Sequence, residues 1–527
     1  MTVPAFFLLT IDDLLSDLHF VDPGFLDFAA VIDVECFPFS EDVEHLCAGF
    51  AVAVDGRFFA AEGRYSKLMT NRRDFLKVLG TAAAGLAIGS QTVLGQVRRQ
   101  KRCVIVGSGL AGLAAGFRLK NAGWEVTILE ARSRVGGRVF SHMMPDSGGL
   151  ICELGAEWVG ESHERVKALC RDFNIPLQKH QFSDFLMQNG RVSRPGEWNF
   201  SAQANSAFDK MLEGFEKLTD AQQRMLDRKD WWTHLSDAGF TQPDLILREL
   251  ADSTDFGESI RHVSAFGALA EYAANEEPEV KGKTQNQMDY KMTGGNSRLV
   301  NELAKRIGES NIRTGMKVAE ISQRRGIVTV KAGDETFTAD ACICTAPIAA
   351  LRKIKFNPPL PAAQQQAAER LIYARIIKNS VLYENRFWKE ENFSMVTDMT
   401  SHYYFHSTQN QPGREGILTA YAIGEKADVL ASQDDTRRMN IITRDLHDFN
   451  DDAPRLARGI ASYAWQRDEY TEGAYALYRP GQWFGVRPVL ARPHLKVLFA
   501  GEHIADWQGF MEGAIETGEA AAESLLK

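Results

Sequence analysis

At 527 residues, with 44% hydrophobic and 24% charged residues, the chain has material for a large core and for roughly two or three domains. A formal charge of -9, with no concentration of Lys and Arg, excludes nucleic acid as a natural partner. Seven cysteines (Cys36, Cys47, Cys103, Cys152, Cys170, Cys342, Cys344) form no C-x-x-C pair, so neither a disulfide framework nor a metal site is signalled and buried free thiols are expected.

The first feature along the chain is an export signal in an unexpected place. Asn71 to Lys77 read N-R-R-D-F-L-K, and Val78 to Gly89 continue as an apolar, Ala- and Gly-rich run. About a dozen residues fall well short of the ~20 needed to cross a bilayer, so residues 69–97 read as a twin-arginine signal rather than a membrane span. Such signals belong at an N-terminus, yet 68 residues precede Met69, with twelve Asp/Glu against three Lys/Arg. Translation is therefore expected to start at Met69, leaving residues 1–68 as an extension outside the working, periplasmic or otherwise exported protein. The alternative is a real N-terminal domain.

Cys103-Val104-Ile105-Val106 reads as a buried parallel strand. Gly107-Ser108-Gly109-Leu110-Ala111-Gly112 then opens a helix expected to run to about Asn121. Gly107 suits the tight turn, Gly109 lets backbone approach a pyrophosphate, Gly112 lets helix pack on strand, and the helix N-terminus attracts negative charge. Glu125 to Leu129 is the next strand. It ends at Glu130, placed to accept hydrogen bonds from ribose hydroxyls. Ala131-Arg132-Ser133-Arg134-Val135-Gly136-Gly137-Arg138 follows directly, with paired glycines for close approach and arginines for the pyrophosphate or flavin edge.

This run resembles the E-A-R-x-R-x-G-G-R segment of the flavin amine oxidase family, the type that includes monoamine oxidases and L-amino-acid oxidases. The likeness extends over roughly residues 100–527. Glu153 to Gly160 resembles the family's segment beside the flavin. Met292 to Leu299 resembles the return into the cofactor domain, and Gly315 to Ile321 the strand whose valine, here Val318, meets the adenine side. Thr345-Ala346-Pro347 closes a strand expected from Ala339. Leu498 to His503 and Gly509 to Ala514 resemble the C-terminal strand-turn-helix that wraps ribityl and pyrophosphate.

The resemblance implies an α/β fold: an FAD-binding, Rossmann-like two-dinucleotide-binding domain (98–180, 290–350 and 465–527) interleaved with a mixed α+β substrate domain (181–289 and 351–464). Cofactor contacts are implied for Gly107, Gly109, Leu110, Ala111, Gly112, Glu130, Ala131, Arg132, Gly137, Arg138, Val318, Trp465, Gly501, Glu502, Gly509, Phe510 and Met511. Within the substrate domain, helices are expected over 202–218, 221–228, 243–251 and 259–275.

Lys378 lies in an apolar strand expected to run on to Phe387-Trp388. From the residues alone, a strand-edge lysine facing water is the natural reading. The resemblance instead assigns it to the lysine that holds a water against flavin N5. Ala474 stands where monoamine oxidases join a cysteine to the flavin, so FAD is expected to be non-covalent. Tyr475 and Phe510 occupy the places of two aromatics flanking the substrate nitrogen, where ring faces and a dry site suit a neutral, oxidisable amine. The implied chemistry passes hydride from the carbon next to nitrogen to flavin N5; water hydrolyses the resulting imine to an aldehyde or ketone.

Trp158 stands where amino-acid oxidases carry the arginine that binds the substrate carboxylate, and Phe405 where they carry a tyrosine. Glu157 and Glu161 flank Gly160, where the resemblance places an acid or histidine that recognises a distant ammonium in polyamine oxidases; they read as solvated surface acids, with substitution for that group as the alternative. The substrates implied are a primary or secondary monoamine first, an amino acid second and a polyamine third. Dioxygen, giving hydrogen peroxide, or a redox carrier takes the electrons; no stable membrane insertion is expected, and a homodimer is allowed. A flavin desaturase acting on carbon–carbon bonds and a catalytically silent flavin-binding module are the readings from other classes.

Overall fold

The sheet that carries the first glycine corner is built from short apolar strands whose alternate residues face opposite layers. In the computed structural model, which describes residues 99–274 and 289–527 together with the backbone of three strands nearer the N-terminus, five parallel strands run in the order Ile312–Arg313, Glu125–Leu129, Arg102–Val106, Ala341–Cys344, Val497–Phe499. Cys103 and Ile105 face Leu113, Leu119, Ile307 and Ile515 on the helices Leu110–Asn121, Ser297–Ile307 and Met511–Leu526. Val104 and Val106 face the other way, with Val328 and Val330 of a four-stranded sheet in their cluster. Period-two alternation with both faces apolar is what burial between two layers demands.

A second, seven-stranded sheet runs Arg191–Ser193, Ser183–Gln188, Phe393–Thr397, Tyr403–His406, Gly416–Ile423, Ile376–Tyr383, Ala457–Ala464. One face packs Ile377, Val381 and Tyr383 with Leu430 and Ile442 of the helices Gly424–Ala431 and Asp435–Asp445. The opposite face carries Ile376 with Phe405, Tyr421 and Trp465. Residues Arg99–Lys527 form one compact unit containing both sheets.

Several boundaries differ from expectation for physical reasons. Ala339 ends the hairpin strand Glu335–Ala339, and the parallel strand starts only at Ala341, because Asp340 turns the chain and accepts from the Arg102 amide at 2.8 Å. The first substrate-domain helix is Ala202–Gly214, followed by a 3₁₀ turn. Gln242–Phe256 outruns its expected end and stops at left-handed Gly257, so the next helix begins at Ala265 rather than 259. Trp231–Asp237 was not foreseen; the Asp230 carboxylate caps it by accepting from the Thr233 amide at 2.8 Å.

Nearer the N-terminus, Phe50–Val54, Arg57–Glu62 and Tyr65–Met69 pair as an antiparallel meander. The twin-arginine run and its apolar continuation lie outside the described residues.

Candidate active site

Glycine makes the first corner possible. Gly107 has φ +100°, and a Cβ there would sit 2.7 Å from Thr345 Oγ1. A Cβ on Gly112 would lie 2.0 Å from the Gly107 carbonyl oxygen. Gly112 is therefore a packing residue, and it does not line the cavity described below. A Cβ on Gly109, by contrast, meets nothing within 4 Å, as expected where backbone must approach something other than protein.

The second corner comes from the far end of the chain. Gly501 has φ +146° and its amide donates to Thr517 Oγ1 at 2.9 Å. The amide of Gly509 donates to the Glu502 carboxylate at 3.0 Å. The helix Met511–Leu526 then meets Leu110–Asn121 so closely that a Cβ on Gly518 would lie 2.2 Å from the Ala111 carbonyl. Two helix N-termini thereby open on one cavity of about 650 Å³.

That cavity is lined by Gly107, Gly109, Leu110, Ala111, Glu130, Ala131, Arg132, Gly137, Arg138, Val318, Trp465, Gly501, Glu502, Gly509, Phe510 and Met511. Lys378, Trp158 and Tyr475 line it too. The residues fit a dinucleotide: glycine backbone, helix N-termini and a buried acid stand at one end. At the other, the buried Trp158 Nε1 has no hydrogen-bond partner among the described residues.

The charged side chains are committed more heavily than the sequence suggested. Glu130 accepts from the amide and hydroxyl of Ser108 and the amide of Arg132, each at 2.8 Å. Rather than presenting a free guanidinium, Arg132 grips Asp468 with two bonds of 2.7 Å. That pairing, with the Tyr463 hydroxyl, holds the Asp468 carboxyl below its usual range against the opposing effect of burial. Arg138 donates to Glu502 at 2.6 Å and joins the two corners. These arginines act first as clamps between distant segments.

Lys378 overturns its reading as an edge residue. Its strand, Ile376–Tyr383, is paired on both sides, and the lysine is only 5% exposed. Alternation places it on the face of Ile376, with Nζ 5.5 Å from the ring centres of both Trp158 and Phe405. Phe387 and Trp388 lie beyond the strand, in a turn. Glu157 is the other correction: not a surface acid but 3% exposed, it accepts from Lys378 Nζ at 2.7 Å and from Lys291 Nζ at 3.0 Å. Glu161 is the half-exposed one, bonded to Lys167 and the Tyr290 hydroxyl.

Tyr475 and Phe510 both line the cavity. The Tyr475 hydroxyl donates to the backbone carbonyls of Thr254 and Asp255, the first at 3.2 Å. Phe510 packs edge-on to His163 and Trp507. Beside Tyr475 the wall is completed by Thr254, Asp255, Glu271, Ile376 and Tyr421. Burial raises the carboxyl of Asp255 to about 7, with the Asp252 charge adding to the effect, and raises that of Glu271 well above the usual range. Asp255 and Glu271 escaped sequence reasoning because polar residues on a helix usually face water.

Among the described residues, no cluster of three or more His, Cys, Asp or Glu could hold a metal, and no helix is long and apolar enough to cross a membrane. The five described cysteines are buried and unpaired.

Residues 110–526 match the family model of the flavin containing amine oxidoreductases. The chain belongs to that family. It is accordingly an oxidoreductase with a flavin site, acting on CH–NH2 or CH–NH donors. An L-amino-acid oxidase of Crotalus adamanteus is 26% identical over 467 residues, covering 81% of this chain and 87% of the relative. One of Bothrops pauloensis is 27% identical over 466 residues, covering 81% and 89%. Among solved structures, wild-type putrescine oxidase bound to putrescine superposes with a TM-score of 0.73 at 20% identity, covering 81% of this chain and 99% of that one. Cyclohexylamine oxidase from Brevibacterium oxydans IH-35A gives 0.72 at 21%, covering 81% and 100%. The structural likenesses bear on the fold, an FAD-binding domain joined to a substrate domain.

Proposed function

We propose that this family member binds one FAD non-covalently and oxidises a primary or secondary amine to an imine, which water hydrolyses to an aldehyde or ketone. Bound FAD supplies the two-electron acceptor; dioxygen or a redox carrier reoxidises it. In this reading residues 98–180, 290–350 and 465–527 hold the cofactor, and 181–289 and 351–464 shape the substrate pocket. The strand Lys355–Asn357 departs from that division by pairing with Val318–Arg324. Ala474 offers a methyl group at the cavity wall, which forms no bond to a flavin.

The observation that carries the amine reading is the wall beside Tyr475. A substrate carboxylate placed there would meet Asp255 and Glu271, and the arginines of the cavity, Arg132 and Arg138, are held by Asp468 and Glu502. The wall beside Tyr475 offers a substrate carboxylate two acids and no cation of its own, whereas an amine is well placed to pair with them. The polar wall also disfavours the long apolar tunnel a carbon–carbon desaturase would need. Lys378, Trp158, Tyr475 and Phe510 line the cavity and are assigned to orient the amine and exclude bulk water, with Lys378 Nζ holding a single water beside the flavin.

The same wall supports a second reading, a diamine, in which Asp255 and Glu271 take the remote ammonium; an ammonium would draw both acids into their charged forms. Anaerobic mixing with benzylamine, cyclohexylamine, putrescine and L-leucine decides among these. Bleaching of the flavin band by the amines and not by leucine is expected. Bleaching by leucine alone would refute the amine assignment, and no bleaching by any amine or amino acid of a wider panel would leave a silent flavin-binding module. We also infer translation from Met69 and export by the twin-arginine route, which N-terminal sequencing of the native protein tests; a mature chain retaining Thr2 refutes it.

A further inference from the structure

Lys378 reaches the cavity across a buried set of charges, only one member of which the proposed reaction uses. Glu157 stands at its centre. Its Oε2 accepts from Lys378 Nζ at 2.7 Å; its Oε1 accepts from Lys291 Nζ at 3.0 Å and lies 3.3 Å from His180 Nε2. The Glu157, Lys291 and His180 side chains are at most 1% exposed, and that of Lys378 6%. Lys291 Nζ also donates to the Ser407 carbonyl at 3.2 Å and lies 4.0 Å from Glu153, itself fully buried.

The backbone that carries Glu157 is fixed independently of its charge. Asn296 Nδ2 donates to the carbonyls of Ala156 and Glu157 at 2.9 and 2.7 Å, and its own amide donates to Glu153 at 2.9 Å. The carboxylate is thus aimed at Lys378 by the neighbouring segment and not by the lysine's strand. Two lysines face two glutamates, burial raises the Glu153 carboxyl, and burial lowers the tendency of His180 to protonate. The cross-strand neighbours of Lys378 are Tyr421 and Tyr463, whose phenols burial shifts upward and keeps neutral.

We propose that Glu157 is the positioning residue of the site: through its 2.7 Å ion pair it holds the Lys378 side chain against the cavity wall and compensates its charge. The inference rests on the reading of Lys378 as the lysine beside the flavin. Without Glu157, the only carboxylate among the described residues within bonding distance of Nζ is lost, leaving a buried lysine flanked by Trp158 and Phe405 uncompensated.

The test is a redox titration of the bound flavin in the holoenzyme between about pH 6 and 10, a window spanning ordinary and depressed lysine titration. The wild-type midpoint potential is expected to change with pH smoothly. Glu157→Gln is expected to raise it at the acid end, where an uncompensated ammonium favours the reduced, more negative flavin, and to add a proton-linked step as Lys378 discharges. Glu157→Gln with Lys378→Met must lack that step; if the step survives there, Lys291 is titrating and the inference is wrong. If Glu157→Gln leaves Lys291 too unbalanced to fold, Glu157→Gln with Lys291→Met removes one charge of each sign and must show the same step. Parallel potential curves for wild type and that variant overturn the inference. Reoxidation of the dithionite-reduced enzyme by dioxygen separates the two claims. Lys378→Met as fast as wild type in both half-reactions removes the Lys378 reading and this inference together, whereas a slow Lys378→Met with parallel potentials removes the role of Glu157 alone.

Discussion

Replacing Asp255 by Asn should make the protein more stable, and more so as pH rises. Asp255 lies on the cavity wall, its carboxylate accepting from the Tyr272 hydroxyl at 2.9 Å, and burial next to Asp252 lifts its carboxyl from an ordinary 3.8 to about 7. A raised acid binds its proton more tightly folded than unfolded. Its stabilisation is therefore greatest at low pH and is lost as pH climbs from the unfolded value through the folded one. At about 1.4 kcal/mol per unit, the penalty reaches about 1.7 kcal/mol at pH 5 and about 4 kcal/mol at pH 8, an upper bound because Glu271 and Asp252 share the effect. Urea unfolding of wild type and Asp255→Asn at the two pH values reads the gap directly. A gap that stays constant or narrows at pH 8 would refute the burial argument. In the diamine reading the same variant should also weaken putrescine binding while sparing benzylamine, a stability gain traded against recognition.

Gly109→Ala should fold with nearly wild-type stability, since its Cβ meets open space, yet lose flavin occupancy; Gly112→Ala, forced against the Gly107 carbonyl, should cost about 1–3 kcal/mol in unfolding experiments. Arg132→Ala leaves Asp468, whose side chain is 4% exposed, without its bidentate partner and should cost about 3–5 kcal/mol at neutral pH. Because the Asp468 carboxyl is depressed, the wild-type advantage should disappear as pH falls below the ordinary carboxylate range, which melting curves at low pH would show. Acid precipitation should release all the flavin into the supernatant, as Ala474 predicts; yellow pellets would contradict non-covalent binding.

Both dinucleotide corners were legible in the chain because they are local. A strand, a turn that only glycine permits and a helix start lie within a few residues, so Gly107, Gly109 and Gly501 announce themselves by spacing. The same holds for the helix from Leu110 to Asn121 and the strand Glu125–Leu129, whose ends match expectation. The assignment of Lys378 to a flavin-side role rests on resemblance, since its residues alone argue for a strand edge, whereas the structure shows a buried, cavity-lining lysine.

What the chain could not declare is where charges go when distant segments meet. Glu157 and Lys378 are 221 positions apart, and Arg132 and Asp468 336 apart, so no periodicity reveals either pair. An acid beside tryptophan reads as solvated until a second lysine is brought from the strand Tyr290–Met292 to bury it. Likewise Asp255 is an ordinary helical aspartate until the wall around Tyr475 removes its water. Local backbone chemistry specified the cofactor-shaped corners; desolvation and long-range pairing, which exist only in the folded chain, specified the electrostatics of the site.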